Sequence, residues 1–179
     1  MVINYAKLEK IIGVKFKNRE ILKEALTHRS YLNEKSHSPR SPQGGAGQKM
    51  KHNERLEFLG DAVLELIVTE YLYKKYSSTA EGELTNFRAA LVKAPTLFQI
   101  ASELGLNNFL FLSRGEEKDL GKARQYILAN AIEALIGAIY LDRGYDATRS
   151  FIEKFILNPL VEDIKIKGLR DAKSLFQEK

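Results

Sequence analysis

Residues 53–64 read Asn53-Glu54-Arg55-Leu56-Glu57-Phe58-Leu59-Gly60-Asp61-Ala62-Val63-Leu64. Three carboxylates, Glu54, Glu57 and Asp61, sit in a stretch otherwise rich in apolar residues. At about 100° per residue they fall near 0°, 300° and 340°, on one narrow helical face, and Glu65 joins them near 20°. Acids crowded on an apolar helix repel one another and lose hydration unless a cation answers them. A charged helical stripe is commonly a solvated face, but such faces mix signs at i,i+4 spacing. Leu56 to Leu72 holds acids and no Lys or Arg. Arg55 and Arg88 are the salt-bridge candidates, which leaves Glu54 open to a structural role.

Working outward, Ile127 to Tyr140 is apolar except for Asn130 and Glu133. These lie three residues apart, about 60° around a helix, and project to one side. A helix apolar on nearly every face is a buried one, and a lone carboxylate on it needs a partner. The two segments together form the halves of a candidate divalent-metal site. Cys is absent, and His28, His37 and His52 show no ligand spacing, so the donors are oxygens. Oxygen donors select Mg²⁺ or Mn²⁺ over zinc. Hydrolysis of a phosphodiester or phosphoanhydride is the matching reaction class.

The rest of the chain also reads as helix, with no sustained strand alternation. Asn18 caps a helix carrying Ile21, Leu22, Ala25 and Leu26. Residues 34–51, which include Ser-Pro-Arg-Ser-Pro-Gln-Gly-Gly-Ala-Gly, read as a flexible loop insertion; no Gly-Lys-Ser/Thr follows the glycines. The acid-striped helix is expected from about His52 to Tyr76. Ser78-Thr79-Ala80-Glu81 has capping-box spacing before a helix with Leu84, Phe87, Ala90 and Leu91. Pro95 fits a helix start and Gly105 a stop. Ser113 to Lys122 reads as a polar loop, and Ala123 to Asp142 as a long apolar helix ended by Gly144. Asp146 is expected to cap a helix through Phe151 and Phe155, ended or bent by Pro159. The 179 residues suffice for one all-α domain with a short appendage.

Net charge is +5, from 28 Lys+Arg against 23 Asp+Glu. That excess suits a polyanionic partner, though many ordinary proteins share it. The N-terminus lacks the charged-then-apolar order of a signal peptide, and no apolar run approaches the roughly 20 residues of a membrane span. A cytoplasmic protein with no membrane association is expected, which also fits the lack of Cys.

The dodecapeptide 53–64 resembles the signature segment of the ribonuclease III family. Ala25-Leu26-Thr27-His28-Arg29-Ser30-Tyr31, Glu81-Gly82 with Arg88-Ala89-Ala90-Leu91-Val92, and Glu133 to Asp142 resemble three further family segments in the same order. The resemblance implies an all-α, homodimer-forming endonuclease domain over residues 1–164. Such a domain cleaves double-stranded RNA with Mg²⁺ (Mn²⁺ can substitute) in the processing of rRNA and other RNAs. Staggered cuts leaving 5′-phosphates, 3′-hydroxyls and short 3′ overhangs are implied as well. By the same resemblance Glu57, Asp61 and Glu133 are metal ligands, with Asp61 and Glu133 catalytic and Glu54 supporting. Phe58 matches the aromatic residue inserted into a socket on the partner subunit; a buried core position is the ordinary alternative.

Two departures stand out. Asn130 occupies a position where the family commonly has Asp, which keeps a coordinating oxygen but removes a charge. Residues 165–179 resemble a linker and only the opening helix of a double-stranded-RNA-binding domain, and so short a segment cannot bury a core. Weak RNA binding with steep salt dependence is expected of this chain alone. Two other readings compete: a family-like domain that lost catalysis through Asn130 and acts in RNA binding or assembly, and an all-α nucleotide pyrophosphatase. A di-iron bundle is disfavoured, because Glu54 and Glu57 have no His three residues on.

Overall fold

The computed structural model describes residues 3–36, 51–118 and 121–159. Its helices are α1 (Tyr5–Ile12), α2 (Arg19–Ala25), α3 (Arg29–Ser36), α4 (Glu54–Lys75), α5 (Glu81–Val92), α6 (Ala94–Glu103), α7 (Arg114–Lys118), α8 (Lys122–Arg143) and α9 (Tyr145–Ile152). A 3₁₀ turn, Leu106–Phe109, follows α6, and a π turn, Glu153–Leu157, continues α9. Among the described residues no strand forms. One isolated parallel bridge pairs Thr27 with Phe111.

The all-round apolar sequence of α8 places it at the centre. Ile132, Ala134, Leu135, Ile136, Ala138 and Ile139 are fully buried, each large side chain contributing about 2 kcal/mol or more of transfer free energy. Helices α2, α4, α6 and α9 pack around it, α4 most extensively. Both ends of α8 are tied down. The buried Arg124 donates from Nε to Asn107 Oδ1 at 2.8 Å. The Asp142 carboxylate accepts the backbone N–H groups of Lys17 and Asn18 at 2.7 and 2.9 Å. The chain then leaves α8 through Gly144, whose φ of +80° only glycine adopts without strain.

Several expectations hold at the level of named residues. Asn18 Oδ1 accepts from the Glu20 N–H and caps α2. Pro95 stands in the first turn of α6, and Gly105 (φ +62°) ends the segment that follows. Others need correction. The stretch expected as loop from Glu34 begins inside α3, which runs to Ser36; residues 37–50 lie outside the described residues. Helix α4 starts at Glu54 rather than about His52; the buried Asn53 is its N-cap and donates its N–H to the Thr27 carbonyl at 2.9 Å. The capping box at Ser78–Glu81 does not form: Ala80 is the N-cap of α5, with no side-chain bond, and Glu81 instead accepts from Thr85 Oγ1.

The polar segment 113–122 contains α7, whose first N–H, on Arg114, is received by Glu34 Oε2 at 2.7 Å. Gly144, not Asp146, is the N-cap of α9, and Asp146 lies in its first turn. The boundary at residue 164 and the tail 165–179 lie outside the described residues. Among the described residues no helix is long and apolar enough to cross a membrane.

Candidate metal centre at the crossing of α4 and α8

Two glycines set how α4 meets α8. A Cβ on Gly60 would stand 1.7 Å from the Glu133 carbonyl oxygen, and one on Gly137 would stand 2.3 Å from the Leu56 carbonyl oxygen. The backbones therefore touch, which side chains at either position would prevent. Glu57 lies one turn before Gly60 and Asp61 immediately after it. Glu133 lies one turn before Gly137 and Asn130 a turn earlier still. The close crossing thus brings the acid stripe of α4 against the polar pair of α8.

Asn130 Nδ2 donates to Glu57 Oε1 at 2.9 Å, joining the two halves directly. Glu57 and Glu133 are half-buried, and Asp61 is exposed. Burial pushes the Glu133 carboxyl up to about 7, with the charges of Asp61 and then Glu57 adding to the rise. Glu57 is raised for the same reasons, burial first, then the charge of Glu54; the Asn130 hydrogen bond opposes the shift and Asp61 adds to it. The Glu133 carboxyl therefore feels the charges of Asp61 and Glu57, and the Glu57 carboxyl those of Glu54 and Asp61.

Glu54 and Glu65 have cationic partners of their own, although the charge of Glu54 still acts on Glu57. Glu54 faces Arg29 Nη1 at 3.3 Å and His52 Nδ1 at 3.7 Å, neither being the Arg55 or Arg88 expected from sequence. Arg88 pairs instead with Glu65, at 3.1 Å. Among the described residues no Lys, Arg or His pairs with Glu57, Asp61 or Glu133. Near Glu54, burial lowers the pKa of His28, whose Nδ1 lies 2.8 Å from Ser30 Oγ.

Among the described residues no three His, Asp or Glu side chains converge into a ready cage for an ion. The donor set still fits a hard divalent cation: three carboxylates and an amide oxygen, with mutual repulsion that a cation would relieve. Mg²⁺ in particular is commonly held by one or two carboxylates, with waters and substrate phosphates completing its shell. The glycine crossing is the element that sequence reading missed. Its signal was present, since glycine inside an apolar helix costs about 1 kcal/mol and marks close packing.

Phe58 is 82% exposed, which excludes the core alternative. Leu66 and Tyr73, also exposed, lie on the same face of α4.

The all-helical domain with its two long crossing helices matches a known nuclease-domain fold. The nuclease domain of ribonuclease III from Campylobacter jejuni superposes with a TM-score of 0.73 at 39% identity, over 88% of this chain and 97% of that one. The family model described as Ribonuclease-III-like matches residues 18–160. Ribonuclease 3 of Clostridium tetani is 44% identical over 171 residues, 96% of this chain and 68% of the relative. For Ribonuclease 3 of Staphylococcus epidermidis the identity is 41% over 169 residues, 94% of this chain and 64% of the relative. The chain belongs to the ribonuclease-III-like family. It spans about two thirds of the length of these curated relatives.

Proposed function

We propose that the chain is an endoribonuclease domain that hydrolyses double-stranded RNA as a homodimer, using Mg²⁺ or Mn²⁺, in the cytoplasm. The observation that carries the reading is the set of three carboxylates without a cationic partner at the α4–α8 crossing of a ribonuclease-III-like fold. Glu57, Asp61 and Glu133 would hold the metal, with Asn130 offering its amide oxygen. A bound divalent cation would supply the charge that orients an attacking water and stabilises the leaving 3′-oxygen. Asp61 and Glu133 are the catalytic carboxylates. Glu54, held by Arg29 and His52, supports Glu57 from the preceding turn. Cleavage of the P–O3′ bond leaves a 5′-phosphate and a 3′-hydroxyl.

The exposed face of α4 supports the dimer. In an antiparallel two-fold pairing, Phe58 of one copy faces the Tyr73 end of the other, because an isologous interface exchanges the two ends. A groove of about 220 Å³, lined by Leu72, Tyr73, Leu84 and Arg88 among others, opens there to receive the ring. Two centres related by that axis would cut opposite strands with a stagger.

Incubation of an end-labelled RNA duplex with the chain and Mg²⁺ is expected to give staggered products with 5′-phosphate ends, and Glu133→Ala to abolish them. Intact duplex after incubation with the unmutated chain, in Mn²⁺ as well as Mg²⁺, would overturn the nuclease reading and favour a binding role.

A further inference from the structure

Asn130 is the uncharged member of the crossing, and it is already engaged. Its amide joins α8 to α4 through Glu57, across 73 residues of sequence, at 2.9 Å. A carboxylate has no hydrogen to give, so the amide must turn its NH₂ toward Glu57. An ionised aspartate at this position could not make the bond to an ionised Glu57. It would set a fourth carboxylate against Glu57, Asp61 and Glu133, with acceptors facing acceptors. Spreading the crossing to relieve such repulsion would give up the close backbone packing at Gly60 and Gly137.

We infer that Asn130 is a positioning residue that makes the α4–α8 crossing self-supporting without its cation, holding Glu57 by a hydrogen bond at the cost of weaker cation binding. The inference rests on the reading of this crossing as a metal centre. The amide brings an oxygen but no negative charge to the crossing, so a cation there meets one charge fewer than aspartate would give it. The cation is therefore held more weakly than it would be with aspartate at position 130.

Thermal unfolding of the full chain in EDTA, then in MgCl₂, both without RNA, tests this. Asn130→Asp is expected to lower the metal-free Tm by about 3–6 °C and to enlarge the rise produced by Mg²⁺. Asn130→Ala lowers the metal-free Tm without enlarging that rise. Exchange of donor and acceptor, Glu57→Gln with Asn130→Asp, rebuilds the bond in the opposite sense and returns the metal-free Tm to near that of the unmutated chain. Calorimetric titration with MgCl₂ alone is expected to show about tenfold tighter binding by Asn130→Asp.

An unchanged metal-free Tm for Asn130→Asp, or failure of the exchange to rescue it, would overturn the inference. Absence of any Mg²⁺-dependent rise in all variants would instead overturn the metal centre itself. None of these readouts needs cleavage, so the two failures are distinguishable.

Discussion

Helices α4 and α8 are each 22 residues long, yet the chain uses them in opposite ways. Around α8 the apolar residues are covered on nearly every side by α2, α4, α6 and α9. In α4 only one side is covered, that of Leu56, Gly60, Val63, Leu64, Ile67 and Leu72. Its other side presents Phe58, Leu66 and Tyr73 to solvent. The two helices show that an apolar residue on a helix need not be covered by its own chain. The fold completes α8, whereas α4 keeps one face for the acids and one for the proposed second copy.

The largest expected effect comes from breaking the contact between the two helices. Gly60→Ala places a methyl group against the Glu133 carbonyl, which no rotamer change can relieve. A loss of about 3 kcal/mol or more in urea unfolding is expected. Stability close to that of the unmutated chain would mean that the helices do not cross in backbone contact.

Next comes the open face of α4. Phe58→Asp is expected to weaken self-association by about 2 kcal/mol or more, read by sedimentation. Monomer stability should change by less than about 0.5 kcal/mol, because the side chain is 82% exposed. A dimer that survives this substitution at low concentration would remove α4 from the interface.

A smaller effect sharpens the electrostatic side of the comparison. Glu133 has a folded pKa of about 7 against an ordinary 4.5, so between those values the folded state binds more protons than the unfolded one. This carboxyl therefore makes metal-free stability fall as pH rises from 4.5 to 7. His28, whose pKa burial pushes down, contributes the opposite slope as pH rises toward its ordinary 6.5. Melts in EDTA at pH 5 and pH 8, repeated with Glu133→Gln, isolate the carboxyl. Identical pH dependence in the two proteins would show that Glu133 is not perturbed.

The smallest effect is a control of opposite sign. A Cβ on Gly82 in α5 meets nothing within 4 Å. Gly82→Ala is accordingly expected to raise stability by about 0.5–1 kcal/mol, since alanine there has better helix propensity and no clash. A loss of stability on chemical denaturation would place an unseen neighbour at that helix.

Legibility followed the range of the interaction. The Asn18 cap, the Pro95 start and the Gly105 stop are decided within a few residues, and sequence gave them correctly. Some expectations failed because a distant group intervened, whereas the capping box at Ser78–Glu81 failed locally, with Glu81 accepting from Thr85 instead. The N–H that opens α7 is received by Glu34, 80 residues earlier. The sorting of the acid stripe was equally hidden, because Arg29 answers Glu54 and Arg88 answers Glu65 from other helices. Helical angle placed all four acids on one face but could not say which would keep a cation.

Sequence alone determined the all-α class, the two helices that carry the acids and the resemblance to ribonuclease III. These follow from periodicity, local capping and residue identity, which need no third dimension. Tertiary structure decided that Gly60 and Gly137 let the helices touch, that Phe58 faces solvent, and that Asn130 holds Glu57. Each of these depends on groups far apart in the chain, brought within contact only by packing α8 into the centre of the domain.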